Sequence, residues 1–283
     1  MPPWPAPERA VNPLSRFLRH YLLALQFFTR VPVTGRLADW VGFSPAMLRA
    51  SAAHFPGVGW LVGVVVGAVF FGLLWGLPPV AAAPWVAAVG ATVAGVCMTG
   101  AFHEDGLADL CDGLGGSADR ARALEIMKDS RIGSFGAIAL VLALLAKVAL
   151  LALLAQTDAL RAVAVLFMAQ VVSRGTPLLL IFSMAHVGDA AGSKSKPLAD
   201  SLSAGALFAG GLWTALALLL VAGLYPAAPW WSGLLGAVLA AAWMRRWLMR
   251  RLQGFTGDGL GATQQLSELL FYLGFALALS PAS

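Results

Sequence analysis

The sequence predicts an all-α fold, a polytopic membrane helical bundle of six or seven transmembrane helices plus an N-terminal interfacial amphipathic helix. Three observations carry this prediction. Apolar residues make up 59% of the 283 residues and mean hydropathy is +0.78. Apolar runs of spanning length recur along the chain, the signature of a multi-pass membrane protein. With the N-terminus placed in the cytoplasm, all but three of the 19 basic residues fall in inside segments, the exceptions being Lys147, Arg161 and Arg174. That asymmetry satisfies the positive-inside rule. It also gives a better reading of the net charge of +5 than nucleic acid, which is not an expected partner.

Residues 1–13 are Pro-rich and expected to be disordered; residues 14–283 are expected to form a single integral-membrane catalytic domain. From Leu14, the apolar positions Phe17, Leu18, Tyr21, Leu22, Leu25 and Phe28 recur at helical spacing against Arg16, Arg19, His20 and Gln26. Such a helix is too short to span and belongs in the membrane interface. Pro32 stops it, because proline disfavours helix in the residue before it. The apolar run at 21–28 is short and lacks a small-residue cleavage site, so no cleaved signal peptide is expected and the first span is read as an uncleaved signal.

Spans are predicted at about 57–77, 80–101, 134–154, 158–185, 203–224, 229–248 and 264–279. The last is short and polar at its start, which leaves the count at six or seven. The fourth carries Gly175, Thr176 and Pro177, so a kink is expected there. Between the second and third spans, SADRARALEIMKD reads as a short amphipathic helix with Ser117 as N-cap and Gly133 as its stop. Cys97 and Cys111 are the only cysteines, and their spacing points to neither a disulfide framework nor a zinc site. The topology gathers three polar, Gly-bearing segments on one face of the membrane: residues 103–133, 186–203 and 253–265. An active site facing the cytoplasm follows.

The first of these segments begins HEDGLADLCDGLGG, with His103, Glu104, Asp105, Asp109 and Asp112 inside ten positions. On a helix, Asp105, Asp109 and Asp112 share one face, while Glu104 points about 100° away from Asp105. Like charges at that spacing repel by about a few tenths of a kcal/mol per pair, and a hard divalent cation relieves them. The alternative is a solvated acidic cap balanced by Arg120, Arg122 and Arg131. A second motif, KDSRIGSFG from Lys128, offers Lys128 and Arg131 to phosphate and glycines whose amides approach an anion; positive-inside anchoring explains the two cations about as well. A third, GFTGDGLGATQQ, sets Asp258 among glycines in what reads as a flexible loop before the last span. Lys147 and Arg174 lie inside spans, where they either contact anionic substrate or neutralise the acidic cluster.

Carboxylates for a divalent metal, cations for phosphate and the absence of a Ser/His/Asp arrangement together describe phosphoryl transfer at a membrane surface. His103 is the general-base candidate by residue type. A cation transporter is a weaker reading, since the charges noted inside spans are basic.

FFTRVP from Phe27, HFPGVGWLVG from His54, HEDGLADLCDG from His103, KDSRIGSFG from Lys128 and TGDGLGATQQLSEL from Thr256 resemble the cobalamin synthase, or adenosylcobinamide-GDP ribazoletransferase, family over about residues 14–279. The resemblance implies an enzyme of the bacterial inner membrane in cobalamin biosynthesis. It would join adenosylcobinamide-GDP to α-ribazole or its 5′-phosphate, release GMP and require Mg²⁺. It makes Glu104, Asp105, Asp109 and Asp112 metal candidates, with His103, Asp105 and Asp109 catalytic. Lys128, Arg131, Arg174, Asp258 and Gln264 become substrate contacts. The lipid bilayer is a further partner, and a homo-oligomer stays open. Two departures stand out: HVGDAAGSKSK lacks the family's Arg-Glu-Gly pattern, and Cys111 replaces a small residue. A CDP-alcohol phosphotransferase is the runner-up, since Asp109, Asp112 and Gly113 match the start of its signature, but Gly116 and Ser117 stand where Ala-Arg is required.

Overall fold

A computed structural model describes residues 12–187 and 202–279, and the elements it contains there are helices. Helix α1 (Pro13–Phe28) starts where the Asn12 side chain accepts from the Leu14 amide and ends at extended Thr29. Its 16 residues fall short of a span. Leu14, Phe17 and Leu18 are exposed while Leu23, Ala24, Leu25 and Phe28 are buried, so the end nearer the bundle is anchored and the outer end is left apolar. Short helices α2 (Gly35–Val41) and α3 (Pro45–Ser51) and a 3₁₀ turn (Ala52–His54) then lead into α4 (Phe55–Gly76).

The chain returns through α5 (Ala83–Thr99), turns into α6 (Phe102–Gly116) and α7 (Arg120–Ile126), and continues as α8 (Ser134–Thr157), α9 (Ala159–Ser183), α10 (Ala204–Leu224), α11 (Trp230–Arg251) and α12 (Gly257–Leu277). Four stretches are long and apolar enough to cross a membrane: Pro45–Gly76, α8, α9 and α10. Helices α5 and α6 qualify together as a fifth, bent by 88°. Helices α11 and α12, with 22 and 21 residues, have spanning length without that apolarity. The reason differs between them. Helix α11 carries Arg245, Arg246, Arg250 and Arg251 at one end, whereas α12 is the centre of the bundle, packed on α11, α6, α9 and α8, and hides Gln264, Gln265 and Glu268 inside.

Helices α4 and α9 pack with their backbones close, since a Cβ added at Gly59 would stand 2.5 Å from the Gln170 carbonyl. Pro177 lies within α9 without ending it. Proline has no N–H to give the Ser173 carbonyl; the Thr176 hydroxyl donates to it instead at 2.9 Å.

Three local expectations are corrected. Ser117 ends α6 rather than capping the next helix, because α6 continues to Gly116; Asp119 caps α7 by accepting from the Arg122 amide. Gly133 does not stop that helix, which ends at Ile126, but stands as N-cap of α8. The segment around Asp258 is the first turn of α12, not a flexible loop, because Thr256 caps it and accepts from the Gly259 amide. The distinctive part of HVGDAAGSKSK, with Lys194 and Lys196, lies outside the described residues.

Candidate active site

The site begins at the break between α5 and α6. Gly100 and Ala101 both adopt left-handed backbone, with φ of 67° and 59°. The Arg30 amide donates to the Met98 carbonyl at 2.7 Å, and its guanidinium packs so closely on Gly100 that a Cβ there would collide with it. The FFTRVP segment therefore clamps the turn that swings α6 across the end of the bundle. There α6 meets the start of α12 backbone to backbone, since a Cβ at Gly106 would lie 3.1 Å from the Asp258 Cα.

The other polar segments join at the same end. Arg251 donates to the Ser117 carbonyl at 2.6 Å, Arg120 to that of Leu252 at 2.7 Å, and the Val187 and Phe255 amides pair with Phe255 and Ala185.

This arrangement divides the acidic stretch. Asp105 is exposed and Asp109 half-buried, and Asp258 of α12 adds a third partly open carboxylate to their edge. Burial, then the charges of Asp105, Asp258 and Asp112, push the Asp109 pKa up to about 7. Burial and then Asp105 push that of Asp258 up to about 6. Both shifts come first from burial and then from the neighbouring carboxylates, each of which disfavours the charged form.

Asp112, predicted on the same face, turns inward. Its two carboxylate oxygens accept from the Gly133 and Gly136 amides at 2.7 and 2.8 Å, which caps α8. The glycines of KDSRIGSFG do bring amides to an anion, and that anion is Asp112. A Cβ at either glycine would collide with the carboxylate. Lys128 and Arg131 line an open groove of about 830 Å³ that starts at Asp112, one turn along α6 from Asp109. The Arg131 guanidinium is exposed and donates to Asp129 at 2.6 Å.

Glu104 faces the bundle. Its Oε1 accepts from Gln265 at 3.1 Å, and its buried Oε2 has no partner among the described residues. Around it lies a polar network the sequence reading found only in part. Lys147 of α8 pairs with Glu268 of α12 at 2.8 Å. Glu268 also accepts from Gln170, Gln264 and Tyr272 at 2.6, 3.0 and 2.9 Å, and Arg174 donates to Gln170 at 2.7 Å. Glu268, Gln170 and Tyr272 were not singled out from the sequence. The signal for Glu268 was present, since an acid inside a predicted span needs a cationic partner and Lys147 was already visible.

Arg174 and Gln264 are thus core residues that also line two adjoining cavities beneath α6, which both share with His103. His103 is buried and lies nearly parallel to Phe28, at 9° and 6.2 Å between centroids. It faces a different way from Asp105, two residues on.

Among the described residues, no group of three or more His, Cys, Asp or Glu forms a metal cage. Mg²⁺ asks for less, binding through about one or two carboxylates, waters and substrate phosphate. The open edge of Asp105, Asp109 and Asp258 fits that chemistry, and inward-facing Glu104 does not.

The cobalamin-5-phosphate synthase family profile matches residues 20–276. An adenosylcobinamide-GDP ribazoletransferase of Albidiferax ferrireducens is 61% identical over 280 residues, covering 94% of this chain and 100% of its own length. The enzyme of that name from a Polaromonas species is 56% identical, covering 95% and 100%. One from Vibrio cholerae is 41% identical, covering 90% and 92%. No solved structure matches. Since the profile reaches from α1 through nearly all of α12 and takes in every segment that meets at the polar end, the chain belongs to the cobalamin-5-phosphate synthase family.

Proposed function

We propose that the polar end of this bundle joins adenosylcobinamide-GDP to α-ribazole or its 5′-phosphate, releasing GMP, with Mg²⁺ held by one or two of Asp105, Asp109 and Asp258 together with substrate phosphate. A ribose hydroxyl of the acceptor forms a bond to the phosphorus on the cobinamide arm as the bond from that phosphorus to the GMP oxygen breaks. The observation that carries the reading is the edge of three carboxylates from α6 and α12, with the groove of Lys128 and Arg131 beginning at Asp112, one turn along α6 from Asp109. When bound, the cation neutralises the diphosphate and the departing phosphate oxygen. Lys128 and Arg131 bind the nucleotide phosphates. Asp112 orients the loop that carries both cations through the amides it accepts. The exposed apolar side chains of α8 and α10, Val141, Leu145 and Leu219 among them, face lipid.

Purified protein in detergent, given both substrates and Mg²⁺, is expected to form adenosylcobalamin or its phosphate and GMP. Folded protein that makes no product would sink the assignment, and release of CMP from a CDP-alcohol would point to the runner-up.

The bias of basic residues supports an orientation with this end in the cytoplasm, and the ribazole-transfer reading goes with the inner membrane of a bacterial cell. In a background lacking Cys97 and Cys111, Ala118→Cys is expected to react with an impermeant thiol reagent only from the cytoplasmic side. Val80→Cys, in the α4–α5 loop, should react only from the opposite side. The reverse pattern overturns the orientation.

A further inference from the structure

Helix α11 ends in four arginines that the fold puts to two different uses. Arg245 donates to the Ser183 hydroxyl at 3.0 Å, and Arg251 to the Leu114 and Ser117 carbonyls at 3.1 and 2.6 Å, so both tie α11 to its neighbours. Arg246 and Arg250 are exposed, and neither pairs with a carboxylate among the described residues. With Trp243 and Trp247 they fall at i, i+3, i+4 and i+7, on one face of the helix. The two indoles pack on each other at 5.1 Å between ring centroids, and Trp243 is 54% exposed.

That face continues toward the start of α11 through exposed Leu239 and Leu235, one and two turns before Trp243. The order along it is therefore hydrocarbon, indole, guanidinium, and a phospholipid offers the complementary order of acyl chain, glycerol boundary and phosphate. Indoles settle at the boundary between hydrocarbon and headgroups, and guanidinium groups bind phosphate oxygens in pairs. Arg250 lies about 30 Å along the helix from Trp230 at 1.5 Å per residue. The hydrocarbon core is about as thick, which sets the guanidiniums at headgroup level.

We propose that this face of α11 binds one anionic phospholipid, its phosphodiester on Arg246 and Arg250, its glycerol region against Trp243 and Trp247, and a chain along Leu239 and Leu235. Two cations without a counter-charge select an anionic headgroup over phosphatidylcholine, whose own cation they repel. The apolar half of the face selects a lipid over free phosphate or an acidic soluble protein, neither of which covers Leu235 and Leu239. The site is remote in role from the reaction, and the binding is read without turnover.

The test offers the full chain in detergent equal amounts of phosphatidylglycerol and phosphatidylcholine with the same acyl chains, and counts bound lipid by native mass spectrometry. Retention of one phosphatidylglycerol with at least about tenfold preference is expected, the scale of two guanidinium groups near an anionic surface. Arg246→Gln combined with Arg250→Gln should bring that preference within about twofold. Arg16→Gln combined with Arg36→Gln, on exposed positions of α1 and α2, removes the same charge elsewhere and should leave it unchanged.

Absence of preference in the parent, or its survival in the α11 variant, overturns the proposal. Equal loss in the α1–α2 variant does the same and assigns the effect to diffuse surface charge. Glycerol phosphate that competes as well as the lipid would give the arginines to a free phosphate instead. In the background lacking Cys97 and Cys111, a Trp243→Cys disulfide between two copies in the native membrane would give the face to a second copy of the chain, and so overturn the assignment to lipid.

Discussion

Asp109→Asn is expected to lower turnover on the order of 10³-fold, the scale set by losing one group that stabilises transition-state charge, while the protein remains folded. The substitution keeps the shape and removes the charge. Asp109 stands between Asp105, Asp112 and Asp258, and burial and like charge already raise its pKa to about 7. Relief of that repulsion holds or raises the thermal unfolding midpoint, so activity and stability move apart. Asp105→Asn should behave the same way.

Asp112→Asn is the contrast. An asparagine oxygen accepts from one of the Gly133 and Gly136 amides while its NH₂ faces the other, which costs about 1–3 kcal/mol of stability. Initial rates at saturating substrate and Mg²⁺, set beside unfolding midpoints, check all three variants. Near-normal rates for both Asp105→Asn and Asp109→Asn would return the acidic stretch to a solvated cap.

Lys147→Met is expected to destabilise the bundle by about 3–5 kcal/mol, because it leaves Glu268 ionised in the interior without its cation. The pair lies 2.8 Å apart, with side chains 10% and 2% exposed. Three further donors to Glu268, from Gln170, Gln264 and Tyr272, hold the carboxylate in place but bring no charge. Adding Glu268→Gln to Lys147→Met should recover most of the loss, since a neutral amide needs only hydrogen bonds. Thermal unfolding in detergent reads both. A Lys147→Met protein as stable as the parent would show that Arg174, bonded to Gln170, carries the balancing charge instead.

The elements were legible where local chemistry is self-sufficient. Apolar runs of spanning length foretold α4, α5, α8, α9 and α10, because the lipid environment imposes on each segment separately that its backbone be helical and its surface apolar. The early start of α12 was misread, since GFTGDGLGATQQ has the glycine content of a loop. Gly257, Gly259 and Gly261 of that stretch are nonetheless helical, where Gly261 packs against His103 and Gly106, a contact made by residues far apart in the chain.

The sequence by itself determined the class of fold and the family, and it named the candidate residues, among them the carboxylates at 104, 105, 109, 112 and 258 and the cations at 128, 131 and 174. Composition and motif are properties of the chain read in order. Only the tertiary structure decided which way each carboxylate faces. Asp105, Asp109 and Asp112 share one helical stripe, yet packing against α8 spends Asp112 on two amides, and packing against α12 adds Asp258 to the open edge. The acidic stretch of α6 is thus shared among an outward carboxylate edge, an inward cap for a neighbouring helix and, through Glu104, the buried polar network. That division depends on the 88° bend at Gly100 and Ala101, because the bend sets which neighbour each side of α6 meets.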